Sequence, residues 1–524
     1  MNSSAHALLV AAGIFLSRIA GLVRQRVFAH YFGQSDAGDA FNAAFRIPNF
    51  LQNLFGEGVL SASFIPVYSK LLARGDETEA RRVAGVVATL LALATSLLVL
   101  AGVLATPLLV DLIAPGFEGD KRALTVRMVR IIFPGTGLLV LSAWCLGILN
   151  SHRRFFLSYT APVLWSAVMI AAMVAFGALM TTPELAVRLA WASVAGSGLQ
   201  LAVQLPVVLR LARGVRPSID LRSEGSRTVI RTFGPVFVGR GVVQISGYVD
   251  SVLASFLPVG AVTALANAQT LYTLPVSLFG MAVSAAELPA MSSVVGDKDE
   301  VALLLRERLN AGLGRVAFFI VPSAMAFVAL GDVIAAALFQ TGRFSADDAV
   351  WVWGILAGSS VGLLASTLGR LYASTYYAMH DTGTPLRYAT TRVLVGTTLG
   401  YFASLHLPAI IGVDPKWGVA FLTAASGTAG WVEFSLLRRT LHRRIGRTGL
   451  AASRLLTLWG AATVAAALAL VAKHFAAGRL HPVALAAVVL APYGFAYIGV
   501  TWTAGVTEAR AIVRRLTRST AAER

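Results

Sequence analysis

Runs of twenty or more mostly apolar residues recur along the whole sequence, each separated from the next by a short polar connection. A helix rises 1.5 Å per residue, so about 20 such residues cross the hydrocarbon of a bilayer. Only helices and closed barrels satisfy the backbone there. These runs are continuous rather than alternating, which selects helices over barrel strands. The 524 residues are 56% hydrophobic and 13% charged, against roughly 25% charged in a soluble domain, and the mean hydropathy is +0.71. The expected fold class is an all-α polytopic membrane protein with about fourteen transmembrane helices. Their cores are expected at 7–31, 38–69, 83–113, 124–150, 157–180, 184–209, 229–256, 260–292, 311–338, 346–379, 386–405, 417–437, 452–472 and 482–506.

The net charge of +18 would raise the question of nucleic acid in a soluble protein. Here the basic residues collect in alternate connections, 27 of them on one side and 6 on the other. That asymmetry obeys the positive-inside rule, excludes a nucleic-acid partner as its explanation and predicts that both termini are cytoplasmic. Met1 to Ala12 lacks the basic leader of a signal peptide and runs on into Arg18, so it reads as the start of the first span. The single cysteine, Cys145, forms no internal disulfide, and the eight histidines never cluster as metal ligands. No P-loop occurs, so neither nucleotide hydrolysis nor any cofactor is expected.

The longest polar interruption of the first half, Arg210 to Arg231, contains Gly214, Pro217 and Gly225. It divides two expected pseudo-symmetric six-helix halves around a central cavity, residues 1–215 and 216–445. A C-terminal helix pair with a basic tail follows at 446–524. Pro48, Leu54-Phe55-Gly56 and Pro66 in the second span are echoed by Pro275, Leu278-Phe279-Gly280 and Pro289 in the eighth. Paired halves with interrupted helices are common in transporters.

The stretch from Gly13 to Lys70 places charges inside two apolar runs: Arg18, Arg24 and Arg26 in the first, Asp39, Arg46 and Glu57 in the second. Each costs at least ~2.5 kcal/mol at bilayer depth, so such residues face a bundle interior or a wet cavity. Arg26 is near enough to a span end to snorkel. In an unbroken helix Asp39, Arg46, Asn53 and Glu57 share one stripe, with Pro48, Gly56 and Gly58 able to bend it. Two readings follow. Either Asp39 and Glu57 neutralise Arg18, Arg24 or Arg46 as structural pairs, or the guanidinium groups await an anionic ligand, for which their planar forks suit phosphate oxygens. Later spans add Arg240, Gln244, Asp250, Arg315, Arg370 and Glu433. Asp250 is read as a proton or cation coupling site or as a partner for an arginine. Arg315 and Arg370 have no acidic neighbour in sequence.

These residues carry a family resemblance. Ser17-Arg18, Gly21, Arg24, Phe32-Gly33, Asp39-Ala40-Phe41, Phe45-Arg46-Ile47-Pro48-Asn49, Glu57-Gly58 and Phe64-Ile65-Pro66 resemble the N-terminal signature of the MurJ (MviN) lipid II flippases. Ile148-Leu149-Asn150, Gly234-Pro235, Gln244-Ile245-Ser246, Leu288-Pro289 and Asp381 with Thr384-Pro385 extend it. The resemblance implies the fold of the multidrug/oligosaccharidyl-lipid/polysaccharide flippase superfamily. It also implies transfer of undecaprenyl-diphosphate-linked disaccharide pentapeptide, the peptidoglycan precursor, across the bacterial plasma (inner) membrane. Arg18, Arg24, Asp39, Arg46 and Glu57 match the family's functional polar positions, and the last two spans imply a groove for the lipid tail. The chain departs from the pattern at Gln25, where the family often has Asp, and at Gln52, Asn53 and Thr270, where it often has basic residues. Arg26, Arg240 or Arg370 then supplies the charge differently, or the headgroup differs.

The expected mechanism is alternating access, in which arginines replace water around a diphosphate while the polyprenyl chain stays among membrane lipids. The rivals are a flippase for another polyprenyl-diphosphate glycan, a drug or cation antiporter, a membrane enzyme acting on lipid-linked sugars, and a transport-inactive scaffold for cell-wall synthesis proteins. Arginines in place of carboxylates and aromatics weigh against drug export. Short loops without convergent carboxylates or histidines weigh against an enzyme.

Overall fold

The computed structural model describes residues 3–55, 57–292, 294 and 297–522, except for the side chains of 3–12, 14, 48, 53, 57, 235, 236, 238–247, 285, 289, 298 and 515–522. Secondary structure among the described residues is helical, apart from an isolated bridge between Thr341 and Phe344. The fourteen expected cores fall mostly on helix among the described residues, with 157–180 and 482–506 running past the ends of their helices. Nine described helical runs are long and apolar enough to cross a membrane, and the chain is a multi-pass membrane protein. It forms two compact units, residues 1–263 with 341–344, and residues 264–340 with 345–524.

The first unit opens with α1 (Ser3–Phe32), unbroken through Arg18, Arg24 and Arg26. The second expected span is not one helix but three: α2 (Asp36–Ala44), α3 (Arg46–Phe55) and α4 (Glu57–Ala73). Pro48 has no N–H to return to the Ala44 carbonyl, and the first break falls between these two residues, at Phe45. There follow α5 (Glu77–Leu104), α6 (Thr106–Ile113), α7 (Gly119–Ser151), α8 (Phe155–Phe176), α9 (Thr182–Leu211) and α10 (Glu224–Ser255). The N-termini of α5, α9 and α10 use ordinary caps. The Asp76 carboxylate accepts from the Glu79 N–H at 3.0 Å, and the Glu184 carboxylate accepts from the Thr181 N–H at 3.1 Å.

Two apolar clusters hold this unit. Phe28, Phe32, Phe41, Met128, Phe133, Met169, Met173 and Leu189 join α1, α2, α7, α8 and α9. Leu60, Phe64, Tyr68, Val83, Trp144, Ile148 and Val208 join α4, α5, α7 and α9. Gly13 lies against Tyr159, and Gly177 just past α8 against Tyr31. The contacts run in the same order along both chains, so α1 and α8 are parallel, as expected of the first and fifth spans.

The second unit takes over within α11 (Ala261–Pro275), whose end passes through a π-helical turn, Val276–Met281, into α12 (Ala282–Ser292). It continues with α13 (Lys298–Phe339), α14 (Ala346–Ala378), α15 (Gly383–Leu405), α16 (Leu407–Ile411), α17 (Gly418–Ile445), α18 (Ala452–Ala476), α19 (Pro482–Thr503) and α20 (Thr507–Ala522). At 42 residues α13 exceeds what a perpendicular crossing needs.

Lipid tails are as apolar as leucine, so helices in a bilayer associate through close packing and a few polar bonds. The seam of α14 with α17 uses both. A Cβ on Gly362 would stand 2.3 Å from the Gly427 Cα, so the two backbones touch. The Thr423 hydroxyl donates to the Ile355 carbonyl at 3.0 Å and the Trp431 indole to the Val361 carbonyl at 2.7 Å. The C-terminal pair is fixed to α13 by a different device. Pro322 leaves the Phe318 carbonyl without its helical donor, and the Tyr497 hydroxyl fills the vacancy at 2.7 Å. Tyr493 donates to the Pro322 carbonyl at 2.6 Å, and Lys473 pairs with Asp332 at 2.6 Å.

Between α14 and α15 the Asp381 carboxylate accepts from the Thr384 N–H at 2.9 Å and its hydroxyl at 2.7 Å, and pairs with Arg444 at 2.6 Å. The Thr384 hydrogen bonds, with Arg444 behind them, hold its carboxyl down at about 2.

Two outcomes are expected. Gly362→Leu drives a side chain into the α17 backbone and costs about 3 kcal/mol, read as loss of the monodisperse peak in gel filtration. Asp381→Ala costs about 1 kcal/mol at neutral pH, the usual worth of a capping carboxylate, read as a lower melting temperature. A depressed folded pKa stabilises fully above the unfolded value of ~3.9 and ceases to as pH falls through about 2. The difference between Asp381→Ala and the parent should therefore close across that window.

Candidate functional site

Among the described charged residues of the first unit, Asp39 and Arg24 lie in contrasting settings. Asp39 sits in α2 and is 1% exposed. One carboxylate oxygen accepts from the Lys121 ammonium at 2.7 Å and the Gly260 N–H at 2.8 Å. The other accepts from the Thr263 N–H at 2.8 Å and its hydroxyl at 2.9 Å. Gly260 adopts a φ of 89°, open to glycine and strained for other residues. Asp39 thus caps the N-terminus of α11 from outside, where a negative charge is favoured. Lys121, in the first turn of α7, also pairs with Asp36 at 2.9 Å and lies 4.4 Å from the centre of the Phe117 ring. Asp39 does have a structural counter-ion, then, but it is Lys121 rather than Arg18, Arg24 or Arg46.

Arg24 has the opposite surroundings. Its guanidinium lies 4.5 Å above the Trp165 ring centre, with Nη1 3.7 Å from the Met169 sulfur. Its Nε is buried without a hydrogen-bond partner, and no carboxylate comes within 4.0 Å of it among the described residues. Cation–π contact supplies only ~0.5–2 kcal/mol, against several kcal/mol for desolvating an ion. Arg24 is partly buried, and its Nε donor remains unused. Arg18 is exposed on α1 and Arg26 is partly buried on the same helix.

Arg46 stands where α2 gives way to α3. Tyr248 of α10 donates to its carbonyl at 2.9 Å, and Asp250 of the same helix acts on its guanidinium electrostatically. Because the span is broken at Phe45, the single stripe expected for Asp39, Arg46, Asn53 and Glu57 is not carried by one continuous helix. Gln52 is partly buried on α3. The side chains of Asn53, Glu57, Arg240 and Gln244 lie outside the described residues.

In the second unit Thr270 spends its hydroxyl on the Ala266 carbonyl at 2.9 Å, and Arg370 is exposed on α14. Arg315 does not lack an acidic partner. It pairs at 2.9 Å with Glu287 of α12, which is 6% exposed and also lies 3.9 Å from Arg308. Glu433 pairs with Arg392 at 3.4 Å. Glu287, Lys121, Trp165 and Met169 were not singled out from sequence. A buried carboxylate just past Pro275 was the available signal for the first; the other three sit in ordinary apolar or loop contexts.

A family model described as lipid II flippase MurJ matches residues 28–490. The chain is 33% identical over 448 residues to the lipid II flippase MurJ of Burkholderia cenocepacia, covering 84% of each chain. It is 33% identical over 440 residues to the probable lipid II flippase MurJ of Rhizobium tropici, covering 82% of this chain and 79% of the relative. Among solved structures, a lipid II flippase MurJ in an inward closed conformation superposes with a TM-score of 0.76 at 23% identity, over 94% of this chain and 98% of that one. An inward-facing MATE family multidrug resistance transporter of the MOP superfamily follows at 0.62 and 16%, over 81% and 95%. At these identities the structural likeness shows the fold alone.

If the Asp39 carboxylate serves chiefly to tie α2 and α7 to the start of α11, Asp39→Ala destabilises the protein in the absence of any substrate. The expected cost is about 3–5 kcal/mol, the usual penalty for removing one member of a buried ionic pair. Thermal unfolding of purified protein in detergent measures it.

Proposed function

The chain belongs to the lipid II flippase MurJ family, and on that premise we propose that it moves undecaprenyl-diphosphate-linked disaccharide pentapeptide from the inner to the outer face of the bacterial inner membrane by alternating access. The observation that carries this reading is Arg24, a guanidinium among apolar neighbours with no carboxylate within 4.0 Å among the described residues. A diphosphate crossing hydrocarbon must exchange its water for fixed donors, and an arginine without a counter-ion offers them without first breaking a salt bridge. Arg18, exposed on the same helix, and Arg26 and Arg46 are proposed to extend this cationic track. Asp250, acting on Arg46, is the proposed coupling carboxylate. Glu57, Asn53, Gln52, Arg240 and Arg370 are proposed to contact the headgroup. The divisions at 215/216 and 445/446 are proposed as those of the moving halves and the C-terminal pair, with both termini in the cytoplasm. The membrane potential, worth ~2.3 kcal/mol per charge per 100 mV, can reset a cationic site.

A second reading has one observation in its favour. The Thr270 hydroxyl is bonded to its own helix, so this position offers no cation where relatives often have one, and a different polyprenyl-diphosphate glycan is the alternative cargo. One experiment addresses both. The chain is supplied to cells depleted of their essential flippase, and lipid II exposed at the outer face is measured. The parent chain restores exposure, Arg24→Ala lowers it at least about tenfold, and Arg24→Lys, which keeps charge but not the fork, is intermediate. Full exposure with Arg24→Ala overturns the cationic-site reading; no exposure with the well-expressed parent points to the other cargo.

A further inference from the structure

Arg24 has no carboxylate within 4.0 Å among the described residues but rests on an aromatic ring. Trp165 and Met169 lie four residues apart on α8 and therefore share one face. The guanidinium rests on that face, over the indole at 4.5 Å and beside the sulfur at 3.7 Å. The indole is itself fixed. Its N–H donates to the Ser193 carbonyl of α9 at 3.1 Å, Gly196 of α9 lies against its edge and backbone, and the Phe45 ring packs 5.5 Å away, centre to centre. The chain of contacts runs from α9 through Trp165 to Arg24, and Phe45 joins it at the break between α2 and α3. A long side chain without an ionic partner otherwise samples many rotamers, and ordering it on binding costs conformational entropy.

We propose that Trp165 is a positioning residue for transport. Its indole face, locked by Ser193 and backed by Phe45, holds the Arg24 guanidinium ready for a diphosphate ester and stands in for the counter-ion until that ligand arrives. This inference rests on the reading of Arg24 as an anion site. It goes beyond that reading because it assigns the preorganisation of Arg24 to an uncharged residue on another helix. A carboxylate in the same place would hold the guanidinium as well but would have to be displaced by the cargo. The π face attracts the cation weakly enough to yield it.

The test is a double-mutant cycle on binding of undecaprenyl diphosphate to the full chain in nanodiscs. Trp165→Phe keeps an aromatic face and should bind within about threefold of the parent. Trp165→Leu keeps apolar bulk and should bind about tenfold more weakly while melting near the parent's temperature. In the Arg24→Ala background, Trp165→Leu should cause no further loss. Met169→Leu guards against a Trp165→Leu variant that does not fold: it removes only the sulfur contact and should weaken binding about two- to threefold, again solely when Arg24 is present. Parent-like binding by Trp165→Leu, or an equal loss in both backgrounds, overturns the proposal while leaving Arg24 as the anion site. Parent-like binding by Arg24→Ala overturns the anion site, and the role of Trp165 with it.

Discussion

Inside a bilayer no water is available to satisfy a stray donor, acceptor or charge, and the architecture of this protein follows from that restriction. Wherever a proline interrupts a helix, some other group must answer for the freed carbonyl. At Pro322 the answer is Tyr497, brought in by a helix nearly two hundred residues later in the chain, at a separation of 179. Of the two buried carboxylates among the described residues, Asp39 is surrounded by donors and Glu287 is paired with arginine. Unlike these two acids, the Arg24 guanidinium has no oppositely charged group within 4.0 Å among the described residues.

The contrast between Asp39 and Arg24 also separates structural polarity from functional polarity within a few turns of sequence. Both residues match the family's signature positions, and both would be costly on their own in lipid. Asp39 has four donors and nothing left to offer a ligand. Arg24 has a ring, a sulfur and an unused Nε. Two residues that share a motif therefore lie in different settings, one holding the ends of helices together and the other proposed to meet the cargo.

Much of the fold was legible in the sequence, because a helix that crosses a membrane must announce itself as a long apolar run. The membership was legible too, through the motifs between Ser17 and Pro66. The pairings were not. Lys121 lies 82 residues from Asp39, and Met169 lies 145 from Arg24, so no periodicity within one helix could join them. The stripe drawn through Asp39 and Arg46 needs an uninterrupted helix, whereas the span is divided at Phe45. Arg315 looked solitary because its partner Glu287 sits 28 residues earlier, on another helix.

The seam between α14 and α17 carries a further implication. Two backbones in contact at Gly362 and Gly427, stitched by Thr423 and Trp431, cannot slide past each other without prising apart bonds that lipid will not replace. They must travel as one rigid bar, and whatever flexing the second unit undergoes is left to its softer joints, such as the π-helical turn after Pro275.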